Sequence, residues 1–413
     1  MIKEKGKIRL AIEAENSLKE IMDGFSDAPE EMGYFYERFR AFFGETPATN
    51  NGKKIIATMC IHVPVELIYA VGAIPLRVCA GARSTAEIGE EFLPAKVCPL
   101  IKSTFGILYL NIFSAGAKPV MIINPTTCDQ KKKIGEMAED IDGCFYTLEL
   151  PPTKDTQEAR FYWQMVVKKL AKELERVTGQ RLTRKKLKKA IGLVGLAQAQ
   201  FRRFYNIRKR MPVIRGTDAI LVSNAYFFDG IINWTYRLSK LNDELEEKIR
   251  RKQYIVGQEA PRILLAGSPS IFPNMNLPVM VEQLGGIVVA DEFCSSNRFL
   301  YDMVAVDEWS LYDMIPAIAD RYFKPGICPC FTPNTDRERN LTDNVRKFSA
   351  DGVIYQSFAG CKPYEMESRQ IGKTLEKNGT PMLYIENDYI LDNTGLLSTR
   401  VEAFIELLHN LKN

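Results

Sequence analysis

Sulfur dominates the reactive side chains of this 413-residue chain: it carries nine cysteines and only two histidines. Two histidines leave little material for imidazole catalysis or His-rich metal sites. Nine is odd, the chain is long and no export signal is visible, so a disulfide framework is not expected and the chain reads as cytoplasmic. The thiols are grouped. Five fall between Cys60 and Cys144 and four between Cys294 and Cys361, with none in the 149 residues between. Free cysteines by default are small buried hydrophobes, which should fall inside strands and helices as often as just beyond them. Here eight of the nine fall in loops: Cys60, Cys79, Cys98, Cys128, Cys294, Cys328, Cys330 and Cys361. Cys144 begins a strand at the opposite edge and is expected to be structural. Structural zinc calls for paired Cys-x(2–4)-Cys knuckles; no two matching pairs occur, and Cys328-Pro329-Cys330 is too tight. Iron–sulfur clusters accept dispersed thiolates from converging loops. Pro99, Pro329, Gly360 and Pro363 suit the chain bends and N–H groups that such sulfur atoms use.

The elements that position these thiols follow from periodicity. Apolar, β-branched runs predict strands at 54–59, 74–78, 119–123 and 145–150, and again at 262–266, 286–290, 352–356 and 382–385. Helical spacing predicts helices at 65–72, 100–113, 131–140, 277–284, 311–322, 337–350, 363–377 and 398–411. Apolar strands alternating with helices imply α/β architecture with parallel sheets covered on both faces. Ligands of open α/β sheets bind outside the carboxyl ends of the strands, and Cys60, Cys79, Cys128, Cys294 and Cys361 all follow predicted strands. Trp163, Val166, Val167, Leu170, Leu174 and Val177, then Trp234, Leu238, Leu241, Leu245 and Ile249, keep a helical period. This middle region predicts two or three long helices. The boundaries read as an N-terminal helical segment (1–50), a first α/β domain (51–155), a helical connector (156–258) and a second α/β domain (259–413).

Composition narrows the function. Net charge is +4, too weak to imply a nucleic-acid or membrane partner, and no apolar run reaches the 18 residues of a span. A P-loop is missing, because Gly372-Lys373-Thr374 has Glu367 where the first glycine belongs. The run Arg181 to Lys189 reads as a solvated helix face. His62 and Glu66, close after Cys60, are candidate proton donors; a packed or exposed histidine is the simpler account of His62.

Several motifs carry a family resemblance. Cys98-Pro99-Leu100-Ile101-Lys102-Ser103, Thr126-Thr127-Cys128-Asp129 and Asp351-Gly352-Val353-Ile354 before Cys361 resemble the 2-hydroxyacyl-CoA dehydratase / benzoyl-CoA reductase superfamily. So do Pro64-Val65-Glu66-Leu67 and Ser398-Thr399-Arg400-Val401-Glu402-Ala403-Phe404. The resemblance runs from about residue 50 to the end. It implies two Rossmann-like (flavodoxin-like) parallel-sheet domains and an oxygen-sensitive iron–sulfur cluster held by cysteines of both. It also implies a separate partner, a homodimeric ATP-hydrolysing reductase or activator with its own [4Fe-4S] cluster. A dehydratase subunit of the superfamily uses three thiolates for one [4Fe-4S] cluster and works on acyl-CoA as a heterodimer. The thiol surplus here looks more like the double-cubane cluster proteins, homodimers whose [8Fe-9S] cluster takes six cysteines and reduces small molecules. By that likeness Cys98, Cys128 and Cys361 would hold one cubane, and three of Cys60, Cys294, Cys328 and Cys330 the other, with Cys79 undecided. A buried cluster with few countercharges would make added electrons costly, hence the ATP-driven donor. A second cubane would fill the space of an acyl-CoA thioester. A non-catalytic electron carrier is the reading from another class.

Overall fold

The computed structural model describes residues 2–44, 52–112, 118–137, 141, 143–255, 257, 259–389 and 394–412. Two helices open the chain, α1 (Ile2–Gly24) and α2 (Met32–Phe43). The first sheet region follows: β1 (Ile55–Thr58), α3 (Val65–Ala70), β2 (Ile74–Arg77), α4 (Arg83–Glu90), α5 (Pro99–Leu110), β3 (Met121–Pro125), α6 (Asp129–Ile134) and β4 (Phe145–Leu148). Four helices come next, α7 (Gln157–Thr178), α8 (Arg184–Arg210), α9 (Gly216–Ala225) and α10 (Ile231–Arg250). The second sheet region is β5 (Arg262–Gly267), α11 (Asn276–Gln283), β6 (Ile287–Asp291), α12 (Asn297–Leu300), α13 (Leu311–Phe323), α14 (Thr335–Lys347), β7 (Gly352–Phe358), α15 (Lys362–Lys377), β8 (Met382–Asn387) and α16 (Thr394–Lys412).

Both sheets are four-stranded and parallel, with orders β2-β1-β3-β4 and β6-β5-β7-β8. The order is the same in each, so the fold is α/β with two Rossmann-like, flavodoxin-like units. The inner strands β1, β3 and β7 are buried along their whole length, and edge strands β2 and β8 are only half-buried. That burial explains their unbroken apolar runs. In each sheet the strand order reverses beside the first strand, which opens a crevice at the carboxyl ends.

The eight predicted strands are present, each within a few residues of its expected ends. Three helices escaped the periodicity, among them the four-residue α12, too short to show a period. In α4 the buried face is Ser84, Thr85, Ala86, Ile88 and Gly89, too small to give an apolar rhythm. It lies so close to α5 that a Cβ on Gly89 would sit 2.2 Å from the Lys102 carbonyl, and one on Gly106 2.0 Å from that of Thr85. Helix α9 is buried on all sides and therefore has no amphipathic period. The middle region holds three long helices plus this short one. The predicted helix at 131–140 begins at Asp129 and ends at Ile134, while residues 138–140 lie outside the described ones. The basic run is a helix start: Thr183 caps α8, and Arg184, Lys185, Lys186, Lys188 and Lys189 are exposed. Among the described residues no helix is long and apolar enough to cross a membrane.

Candidate functional site: a thiol-lined cleft between two sheets

Strand-end loops of both sheets bring eight thiols into one region. Cys60 and Cys79 lie just beyond β1 and β2, Cys294 beyond β6, and Cys328 and Cys330 in the loop after α13. Cys98, Cys128 and Cys361 are the residues immediately ahead of α5, α6 and α15. Pro99 occupies the first turn of α5, where its missing N–H costs nothing. The first-turn N–H groups of Leu100 and Ile101 face Cys98, and those of Gln130 and Lys131 face Cys128. None of the nine cysteines is in a disulfide.

The first group is Cys98, Cys128 and Cys361. One side chain locks their loops together: Gln130 accepts from the Cys98 N–H (2.9 Å) and donates to the Gly360 carbonyl (3.1 Å). Gly360 has φ +76°, and a Cβ there would stand 2.4 Å from the Lys96 carbonyl, so only glycine lets the two loops meet. Cys98 and Cys361 are hydrogen-bonded thiols. That bond pulls Cys361 down and, together with burial, pushes Cys98 well up, so the pair favours holding one proton between two sulfurs. Burial raises Cys128, against the pull of Lys131.

The second group is Cys60, Cys294, Cys328 and Cys330. Cys330 bonds to Cys328 and pulls it well below its ordinary value against burial, with His62 adding to the pull; Cys330 itself is pushed up. Burial raises Cys60, which faces Cys328, Cys294 and Lys131. The loop is held from outside. Asn334 Nδ2 donates to the Cys328 carbonyl (2.8 Å), and Arg337 Nη1 (3.1 Å) and Arg298 Nη1 (3.4 Å) donate to the Ile327 carbonyl. Arg337 is completely buried and ion-paired with Glu292 (2.8 Å) and Glu367 (2.5 Å). The two groups communicate, since Cys361 also faces Cys328.

The expectation of few countercharges is overturned. Lys131 is buried, donates from Nζ to the Met59 carbonyl (2.7 Å) and faces Cys60, Cys79, Cys128 and Cys294. Arg77 donates from Nη1 to the Cys294 carbonyl (2.9 Å) and from Nη2 to Cys294 Sγ (3.4 Å), and it stacks on Phe227. Burial would push Cys79 up, but Arg77 and Lys131 outweigh it and hold the thiol below its ordinary value. Sequence reasoning missed Lys131, Arg77, Gln130 and Arg337. Lys131 and Gln130 do sit within three residues of Cys128, and Arg77 two before Cys79, which is the one signal that pointed to them.

His62 is 2% exposed, and its Nδ1 lies 3.0 Å from the Tyr322 carbonyl. One of its ring nitrogens and the sulfurs of Cys328 and Cys330 all lie within 4.8 Å of one another. Glu66 is fully buried; its Oε2 accepts from the Tyr322 hydroxyl (2.8 Å), and burial raises its carboxyl. Cys144 stands apart, at the amino end of β4. Its thiol is exposed, so it fills no core and the structural role expected of it is not one of packing. A cavity of about 540 Å³ beside the cleft is lined among others by Arg83, Asn274, Asn387 and Tyr389. Buried Tyr389 packs on Phe358 and faces Cys98 and Cys79.

Two like parallel-sheet units present soft sulfur donors and buried cations to a shared cleft, the arrangement of an α/β protein with paired Rossmann-like units. The comparisons give this class its family. Residues 60–408 match the family model described as 2-hydroxyglutaryl-CoA dehydratase, D-component, and the chain belongs to that family. It is 30% identical over 400 residues to YjiM, a candidate dehydratase subunit of Escherichia coli (strain K12), covering 95% of this chain and 98% of that one. It is 23% identical over 362 residues to the (R)-phenyllactyl-CoA dehydratase beta subunit of Clostridium sporogenes, covering 86% and 92%. It is 22% identical over 346 residues to a benzoyl-CoA reductase subunit of Thauera aromatica, covering 81% and 86%. The chain is thus a component of the dehydratase and benzoyl-CoA reductase type, whose named relatives are enzyme subunits.

Proposed function

We propose that the chain is the iron–sulfur reductase component of a two-component system. It receives low-potential electrons from a separate homodimeric, ATP-hydrolysing [4Fe-4S] reductase and reduces a small molecule at an [8Fe-9S] double-cubane cluster. The observation that carries this reading is the convergence of eight thiols from both sheets on one cleft, where a single cubane needs three or four. The donor set suits the group: soft sulfur atoms, two hydrogen-bonded thiol pairs in each of which one thiol is held below its ordinary value, and buried cations beside them. Cys98, Cys128 and Cys361 would hold one cubane, and three of Cys60, Cys294, Cys328 and Cys330 the other. When bound, the cluster would supply one-electron reduction at low potential.

The chain's own residues then have definite tasks. Lys131, Arg77 and Arg298 offset the negative charge that thiolates and added electrons bring to a buried site. Gln130 and Arg337 hold the two ligand loops in place. Glu66, a carboxyl raised by its burial, stands one hydrogen bond from Tyr322, whose carbonyl meets His62. A substrate would in this reading approach by the cavity at Tyr389, the residue on its wall that faces Cys98 and Cys79. In this reading residues 51–155 and 259–413 are the two α/β domains on either side of the connector, the protein is a homodimer, and it works in the cytoplasm.

A second reading is favoured by the names of the relatives, most of which act on acyl-CoA thioesters. The chain would then be a dehydratase subunit with one [4Fe-4S] cluster on Cys98, Cys128 and Cys361. Iron and sulfide analysis after anaerobic purification separates the two: about eight irons per chain are expected for the double cubane and about four for the dehydratase. Metal-free protein would sink both. Cys128→Ser should lower the iron content, and Cys144→Ser should leave it unchanged.

A further inference from the structure

The imidazole of His62 has the environment of a metal ligand. Its ring is buried, and Nδ1 lies against the Tyr322 carbonyl at 3.0 Å. A carbonyl only accepts, so that contact fixes the proton on Nδ1 and, in the neutral ring, puts the lone pair on Nε2. Nε2 is buried and has no hydrogen-bond partner. An unpaired buried acceptor is costly, and the group this imidazole faces is the Cys328 sulfur. The sulfurs of Cys328 and Cys330 lie within 4.8 Å of one of the two ring nitrogens and of each other.

The surroundings fix the ring from behind. A metal-bound histidine characteristically donates its other N–H to a carbonyl or carboxylate, which orients the ring and raises its basicity. Tyr322 provides that carbonyl and is itself fixed, because its hydroxyl donates to Glu66 and accepts from the Val65 N–H (3.2 Å). Phe331 meets the ring edge-on, with centroids 5.5 Å apart. The second sheet region thus supplies the two sulfurs and the orienting carbonyl, and the first supplies the imidazole.

We propose that His62 Nε2 is a direct ligand of an iron held by Cys328 and Cys330, making this end of the cleft a mixed thiolate–imidazole site. The inference rests on the iron–sulfur reading above. A neutral imidazole in place of an anionic thiolate removes one negative charge from the site, so the iron it holds is easier to reduce than with sulfur alone.

The small number of histidines makes the test clean. The full-length chain, labelled with 15N-histidine, loaded with iron anaerobically and reduced, is read by pulsed electron paramagnetic resonance. The expected result is a strong 15N hyperfine coupling that survives His409→Ala and disappears in His62→Cys. His62→Cys should keep its iron and show a lower reduction potential, which distinguishes a ligand from a hydrogen-bond donor to sulfur. Iron-loaded protein without the coupling, or a His62→Cys variant of unchanged potential, overturns the ligand assignment alone. Protein that takes up no iron overturns the cluster reading with it.

Discussion

Replacing Arg337 with methionine tests the link between the buried ion network and the thiol loop. Arg337 has no exposed surface and binds three partners: Glu292, itself fully buried, Glu367, and the Ile327 carbonyl next to Cys328. Methionine fills much of the volume but leaves both carboxylates without their guanidinium. Removing one partner of a buried ion pair costs about 3–5 kcal/mol, because the remaining charge stays desolvated. With an unfolding entropy of about 2.1 cal/mol/K per residue, a chain of this size loses roughly 1 °C of melting temperature per 0.9 kcal/mol. The expected fall is therefore about 3–6 °C by calorimetry. The cause predicts a rescue: adding Glu292→Gln and Glu367→Gln removes the stranded charges and should recover more than half of the loss. In iron-loaded protein the single variant should also hold less iron, because the Ile327 carbonyl loses an anchor. A melting point within 1 °C or so of the parent, or a triple variant no better than the single one, would refute the reasoning.

Two further outcomes are expected. Gly360→Ala forces a left-handed φ on alanine, at about 1–2 kcal/mol, and drives its Cβ into the Lys96 carbonyl; the variant should melt lower and bind less iron, and unchanged iron would mean that the Cys98 and Cys361 loops need not touch. Asp218, buried in α9 and bonded by the Tyr36 hydroxyl (2.6 Å), is raised by burial from 3.8 to about 7. A carboxyl raised in the folded state contributes its full stability below about pH 4 and loses it as pH climbs toward 7, by up to about 4 kcal/mol. Thermal melts between pH 5 and 8 should therefore fall for the parent and flatten for Asp218→Asn, and identical profiles would argue against a protonated Asp218.

The sequence by itself determined what local patterns encode. Inner parallel strands buried on both faces must be apolar throughout, and the half-buried edge strands keep enough apolar residues that all eight strands showed as runs. Loops after strands must carry the ligands of such a fold, so the placement of Cys60, Cys128, Cys294 and Cys361 already marked the cleft. The motifs around Cys98 and Cys128 were enough to indicate the family. Helices α4 and α9 were hidden, since close backbone packing and all-round burial leave no amphipathic rhythm. Tertiary structure alone decided the pairing of Cys98 with Cys361, hundreds of positions apart, and of Cys328 with Cys330, related by a loop bend that spacing does not specify. It also decided the charge of the cleft. Lys131, Arg77 and Arg337 look in the sequence like any surface cations, and only the folding of two sheets against one another buries them beside the thiols. His62 gained its meaning in the same way, from a carbonyl 260 residues further along the chain that sets its tautomer.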